Sequence, residues 1–306
     1  MIRRAAPASA AVTGRRAADP LTYAFLVTAN LIWGASYLVI TVALESFTPL
    51  GLTTLRLILS TACLWLYARW SGETLAVPRR DVLPLLGIGF LLNTVFQICL
   101  NASLAFTTPA HASLGVSAMP IFAAVSARLL LRERLTARRT AAILMAFAGV
   151  ALVIASGRGL AGARDPVLGD LLALGTAASW ALGSVLSKPF LLRYTALKFT
   201  ALTLVGGAVS GIPWGAVDLF RASWGAITAA SWLALVYLSV FGMAVAMILW
   251  NRAIARIEVG QVAIFSNLTP VATLVLSALL LGEPITLPLL AGGALVVGGA
   301  YLTQRT

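Results

Sequence analysis

SAMPIFAAVSARLLLRERLT, residues Ser117 to Thr136, returns 150 residues later as NLTPVATLVLSALLLGEPIT, Asn267 to Thr286. Seven of the twenty positions are identical: Pro120 and Pro270, Val125 and Val275, Leu129 to Leu131 and Leu279 to Leu281, Glu133 and Glu283, Thr136 and Thr286. The register holds upstream, where Asn101 aligns with Asn251, Ile98 with Ile248, Val95 with Val245 and Leu85 with Leu235. Both copies are apolar for most of their length, so the chain contains a duplicated membrane unit.

Composition extends this to the whole chain. With 60% hydrophobic and 10% charged residues among 306, and a mean hydropathy of +0.94, it departs from a soluble domain, in which about 25% of residues are charged. Apolar runs that approach the roughly 20 residues needed to cross hydrocarbon occur ten times. They lie near Leu21 to Leu44, Leu50 to Tyr67, Val82 to Leu104, Ala110 to Leu131, Ala137 to Ala155, Leu168 to Phe190, Leu197 to Val217, Ala226 to Leu249, Val259 to Leu281 and Leu287 to Leu302. The runs are continuous rather than alternating, which excludes barrel strands. The expected fold is an all-α integral membrane protein of ten transmembrane helices. Its organisation is a tail over residues 1–19, a five-helix repeat over 20–156 and a second over 157–306, together one membrane domain.

The net charge of +12 would suggest nucleic acid in a soluble protein, but its distribution follows the membrane instead. With the N-terminus cytoplasmic, 18 Lys and Arg residues fall on inner segments and only Arg158, Arg164 and Arg221 on outer ones, with Arg56 inside a helix. This asymmetry places both termini in the cytoplasm, and nucleic acid is no partner. Five helices precede the second copy, so the two copies run in opposite senses and the repeat is inverted. Cys63 and Cys99 fall inside apolar helices as buried thiols, without metal-ligand spacing. The Arg- and Ala-rich first nineteen residues lack a small-residue cleavage site after a short apolar core, and the tail is expected to be retained.

Polar residues within the spans mark where chemistry is expected. Arg56, two turns into the second helix, either faces a cavity or snorkels toward headgroups, because a central arginine costs about 3 kcal/mol on insertion scales. Asn93, Gln97 and Asn101, spaced by four, share one face of the third helix, which lines either a wet cavity or a helix interface. The 150-residue offset carries them onto Met243, Met247 and Asn251, so a polar wall would face a thioether wall. Asn30, Trp33, Gly34 and Tyr37 share a face of the first helix. Thr176, Trp180, Ser184 and Ser187 form the counterpart in the sixth, with Trp33 and Trp180 at mid-helix as aromatic cavity walls or as packing. Asp170 is expected to cap the sixth helix, the alternative being a proton carrier. His111 and Gln261 align at the same offset. Asn101 with His111, and Asn251 with Gln261, are expected to gate opposite mouths, the alternative for His111 being a plain interface residue. Pro120 and Pro270 are expected hinges.

Taken in order, Trp33-Gly34, Arg56, Pro120 with Glu133-Arg134-Leu135, Gly169-Asp170 before Trp180, and Pro270 with Gly282-Glu283-Pro284 resemble the drug/metabolite transporter superfamily in its ten-helix EamA-type branch. Arg132 stands where that pattern has glycine. The resemblance covers the chain from about residue 20 onward. It implies a secondary transporter of the bacterial inner membrane that exports amino acids, including aromatic and apolar ones, by alternating access. It also implies that helices one, three, four, six, eight and nine surround a central cavity. Alternatives are export of other metabolites or drugs by proton antiport and, more remotely, a channel or a lipid-acting membrane enzyme. No nucleophile with its base and no pair of buried carboxylates can be assembled for an enzyme. No cofactor and no metal are expected, and the partners are a small-molecule substrate and the bilayer. The small-residue faces of helices five and ten, with Ala142, Ala146, Gly149, Ala294 and Gly298, suit close helix contact and allow a homodimer without requiring one.

Overall fold

The computed structural model describes residues 20–131, 136–157, 163–254, 265 and 267–305. The tail, Arg132 to Leu135, Gln261 and the side chain of Asn251 therefore lie outside the described residues, as does most of the first half of the ninth span. Helices run α1 (Pro20–Leu44), α2 (Pro49–Trp70), α3 (Arg79–Gly89), α4 (Phe96–Phe106), α5 (Pro109–Val116), α6 (Met119–Leu131) and α7 (Ala137–Ser156). The second copy gives α8 (Pro166–Leu191), α9 (Ala196–Arg221), α10 (Ala229–Ser239), α11 (Ala246–Ile254), α12 (Leu268–Leu281) and α13 (Leu287–Arg305). Six apolar helical spans, among them α3 with α4 and α10 with α11, are long enough to cross a bilayer, and shorter apolar helices complete an all-α membrane protein. Among the described residues there is no strand.

Prolines and hydroxyls set the boundaries. Thr48 accepts from the Gly51 amide and Thr228 from the Ser231 amide at the starts of α2 and α10, each satisfying a donor that the helix leaves free. Gly282 ends α12 at φ 66°, a left-handed position that glycine adopts without steric cost. The fourth span is broken: α5 ends at Val116, and α6 starts with Pro120 in its first turn, where a missing N–H costs nothing. Pro270 likewise lies in the first turn of α12, after a turn at Asn267.

Each copy lends its first helix to the other. Helix α1 packs against α10, α11 and α12, and α8 packs against α4, α5 and α6. Helix α2 pairs with α9 and α7 with α13, flanking the two exchanged bundles. In the α7–α13 pair, a Cβ on Gly149 would lie 2.7 Å from the Gly292 carbonyl oxygen, and one on Gly299 2.6 Å from the Ala142 oxygen. The small-residue faces, which suit close helix contact, are thus used against each other within one chain.

One end of the bundle carries Arg69, Arg79, Arg80, Lys188, Arg193, Lys198 and Arg252 and is called the basic end. There Asp81 at the start of α3 binds Arg193 at 3.0 Å and the Tyr194 hydroxyl, and Arg193 lies 4.8 Å over the Phe190 ring. At the opposite end an apolar layer from both bundles closes the molecule, with Ile40 and Ala43 from α1, Leu52 from α2, Leu104 from α4, Ala112 from α5 and Leu238 from α10. A cavity of about 260 Å³ lies toward the basic end between α2, α9 and α11, lined by Leu64, Tyr67, Leu197, Thr200, Met247, Ile248 and Arg252.

Helix α3 meets α9 backbone to backbone: a Cβ on Gly89 would lie 2.2 Å from the Thr203 oxygen, whereas one on Gly87 meets nothing within 4 Å. Gly89→Ala should therefore lower stability by about 1–3 kcal/mol, while Gly87→Ala should leave it unchanged or raise it. Thermal unfolding of the two variants in detergent checks the contrast.

Candidate functional site

The third and eighth spans each contain a π-helical turn, Phe90–Val95 and Val240–Val245, at corresponding positions of the repeat. A π-turn inserts one extra residue and leaves backbone carbonyls without their usual helical partners. Side chains of the exchanged first helices take two of these carbonyls. Trp33 on α1 donates its indole N–H to the Gly242 oxygen at 2.9 Å, and Ser179 on α8 donates to the Leu91 oxygen at 2.6 Å. Nearby, the Tyr237 hydroxyl donates to the Ile32 oxygen at 3.1 Å. Both π-turns are therefore pinned to the opposite copy.

Arg56 lies beside these turns and is 4% exposed. Its Nη1 donates to Gln97 Oε1 at 2.9 Å, and the Gln97 amide in turn lies 3.6 Å from the Met243 sulfur. The Arg56 Nε is buried and has no hydrogen-bond partner among the described residues. The guanidinium thus stays in the bundle and does not snorkel, with one of its donors free. Trp33 meets Trp250 in a tilted pair at 5.3 Å, and Phe96, next to Gln97 in the chain, meets Trp180 in a second tilted pair, also at 5.3 Å.

Gln97, Arg56, Met243 and Trp33 are brought together, whereas Trp180 packs on Phe96 and Ser184 is half-buried on α8. Met247 lines the cavity toward the basic end. The three amides of the third span, however, address two different helices. Asn93 donates to the Thr203 oxygen on α9 at 3.0 Å, Gln97 takes Arg56 from α2, and Asn101 donates to Thr53 on α2 at 2.9 Å. The π-turn shifts the helical phase between Asn93 and Gln97, so spacing by four no longer keeps them on one face. Asn30 is held between the Leu26 oxygen and the Thr269 hydroxyl of α12, and Tyr37 belongs to the apolar closing layer.

Asn101 and His111 sit in separate networks. His111 Nδ1 lies 3.2 Å from Asp170 Oδ2, and Thr107 donates to Asp170 Oδ1 at 3.0 Å. Asp170 is not the cap of α8. That position is taken by Asp165, whose carboxylate accepts from the Leu168 amide, because Pro166 starts the helix a full turn earlier. Sequence reasoning missed the π-turns, Ser179 and Trp250. Only the identical 150-residue spacing around residues 90–95 and 240–245 could have drawn attention to the first of these.

Inverted copies, broken helices and a buried arginine between two bundles define a membrane transport fold rather than an enzyme. The chain belongs to the EamA-like transporter family, whose pattern matches residues 20–155 and again 167–305. It is 31% identical to an uncharacterized transporter of Bacillus subtilis, over 93% of this chain and 90% of that one. It is 29% identical to the "Probable amino-acid metabolite efflux pump" of Escherichia coli (89% and 91% covered). It is 28% identical to the "Probable terminal-alkyne amino-acid exporter" of Streptantibioticus cattleyicolor (92% of each). A solved crystal structure shares the fold with a TM-score of 0.64 at 24% identity, covering 94% of this chain and 99% of its own. The protein is a transporter; its partners are the bilayer and a small-molecule substrate.

Trp33→Phe keeps an aromatic ring against Trp250 but leaves the Gly242 carbonyl unsatisfied. The expected loss is about 1–3 kcal/mol of stability, read from unfolding midpoints of the purified protein. Ser179→Ala should give a loss of the same order at the other π-turn.

Proposed function

We propose that this transporter exports amino acids and related zwitterionic metabolites, including aromatic and apolar ones, across the bacterial inner membrane by alternating access. The observation that carries the proposal is Arg56, a buried cation whose described partner is a neutral amide, Gln97, and which retains an unpaired N–H. A carboxylate is the group that best satisfies a guanidinium in such a setting, through short charge-assisted hydrogen bonds. Trp33, Trp180 and Met243 would meet an apolar side chain, as aromatic and thioether groups do in small-molecule sites. The names of the Escherichia coli and Streptantibioticus relatives support the same substrate class.

Both termini are assigned to the cytoplasm by the positive-inside rule, with the basic end cytoplasmic and the apolar layer toward the outside. The cavity near Met247 then opens on the cytoplasmic side, as an exporter waiting for substrate requires. Residues 20–156 and 157–306 act as the two repeats, with Pro120 and Pro270 at their hinges, and Asn101 and His111 stand near the outer mouth. Asn251 and Gln261 are assigned to the inner mouth by the repeat alone. All residues of the site come from one chain, so a dimer is not needed for transport.

In proteoliposomes, wild-type protein should show saturable counterflow of L-amino acids stimulated by substrate on the trans side. Arg56→Gln should weaken their apparent affinity about 10- to 100-fold, the equivalent of one charge-assisted hydrogen bond of roughly 1.5–3 kcal/mol. Amidating the substrate carboxylate should weaken binding to the wild type but change little in the variant. Equal sensitivity of both proteins to amidation would remove Arg56 from the site, and transport of no amino acid at all would end the substrate assignment.

A further inference from the structure

His111 and Asp170, each 2% exposed, form an ionisable pair buried beneath the end of the molecule that the apolar layer closes. The pair joins α5 of the first copy to α8 of the second. Gly157, after α7, lies so close that a Cβ on it would be 3.1 Å from the imidazole Cε1. Beside the pair is a void of about 10 Å³, lined mostly by aliphatic residues such as Val153, Leu174 and Val296. Asp170 satisfies its second oxygen with the Thr107 hydroxyl.

A second carboxylate reaches the same place. After the left-handed Gly282, Glu283 in the α12–α13 connection comes to the start of α5, close to the Thr108 hydroxyl and the Ala110 backbone, with His111 within electrostatic reach. Burial raises the Glu283 carboxyl above its ordinary range, while Thr108, Ala110 and the His111 charge pull it down. Farther out, Asp165 caps α8 and Arg164 lies 5.8 Å over the Phe106 ring. On this half of the molecule α1, α4, α7, α12 and α13 carry no charged residue. The imidazole is thus in contact with Asp170 and within electrostatic reach of Glu283, and no other cation is seen to neutralise them among the described residues.

The repeat gives this arrangement a direction. Offsets of 150 and 147 residues carry His111 onto Gln261 and Asp170 onto Tyr23, so neither the imidazole nor the carboxylate is repeated. Of these aligned pairs, the one opposite the basic end alone combines an imidazole with a carboxylate.

We propose that His111, Asp170 and Glu283 form a proton-binding site whose occupancy seals the mouth opposite the basic end. The proton comes from the compartment on that side and adds to the imidazole nitrogen that does not face Asp170. The resulting imidazolium pairs with Asp170, within electrostatic reach of Glu283, and holds α5 to α8. When the proton leaves, two carboxylates remain without a cation among the described residues, and opening to water relieves their repulsion and desolvation. In the exporter reading, on which the word mouth rests, an external proton bound after substrate release returns the carrier to the state that faces the cytoplasm.

Two measurements test this, and neither uses a transported substrate. His111 is the single histidine of the chain, so ¹⁵N-imidazole resonances of wild-type protein in lipid nanodiscs report this site alone. They should pass from the protonated to the neutral pattern between pH 5.5 and 8.5. In a Cys63→Ser, Cys99→Ser background, Leu104→Cys places a thiol in the closing layer and Phe220→Cys an exposed reference at the same end. Labelling by a membrane-impermeant maleimide added on that side, normalised to the reference, should rise about tenfold over the same pH range, equivalent to about 1.4 kcal/mol. His111→Gln should abolish the rise, and Asp170→Asn, which removes one of the two carboxylates, should shrink it. A resonance that never changes protonation state, or a pH rise that survives in His111→Gln, would overturn the proposal. Failure of amino-acid counterflow alone would remove the substrate assignment and leave the proton site standing.

Discussion

No water reaches the hydrocarbon core to satisfy a free backbone carbonyl, so every departure from regular helix must be matched by a side chain. Much of this structure follows from that constraint. The two π-turns would be costly in lipid, and they occur where Trp33 and Ser179 can donate to Gly242 and Leu91. The glycine stripe of α9 works in the same way. Gly206, Gly207, Gly211 and Gly215 let α2 and α3 approach closely, and Thr54, Asn93 and Thr94 donate to α9 carbonyls across the gap. Small residues and interhelical hydrogen bonds thereby replace the hydrophobic drive that is absent between helices in lipid.

The donors that pin each π-turn come from the first helix of the other copy, which ties local geometry to global topology. The same exchange brings Arg56, Gln97, Met243 and Trp33 to one place from four spans. Ties at the two ends occupy related positions but differ in chemistry. Asp81 with Arg193 at the basic end corresponds to Ser231 with Ser46 at the other, where the hydroxyls lie 2.9 Å apart. Duplication supplied one scaffold twice, and substitution made its two ends chemically unequal.

Composition and repeat were sufficient for the class of fold, because continuous apolar runs with two matched prolines leave few other solutions in a bilayer. Arg56 and the mid-helix tryptophans were also legible, since charged and amphipathic side chains at that depth need a reason. The face shared by Asn93, Gln97 and Asn101 was misread for a definite cause. Helical spacing assumes an unbroken α-helix, and the π-turn at Phe90–Val95 adds a residue between the first two amides. Tyr37 followed the periodicity of α1 correctly but lies farther along it, within the closing layer. Asp170 was read as a cap because the sequence does not show how far Pro166 extends the helix upstream.

By itself the sequence determined the membrane class, the duplication, the breaks at Pro120 and Pro270 and the family, since each depends on local composition or on a fixed offset along the chain. Tertiary structure decided which polar groups meet. Arg56 with Gln97, His111 with Asp170, and Trp33 with the Gly242 carbonyl join residues 41, 59 and 209 positions apart. Contacts at such separations depend on helix phase and on which bundle each helix joins, and neither is encoded in any single stretch of the chain.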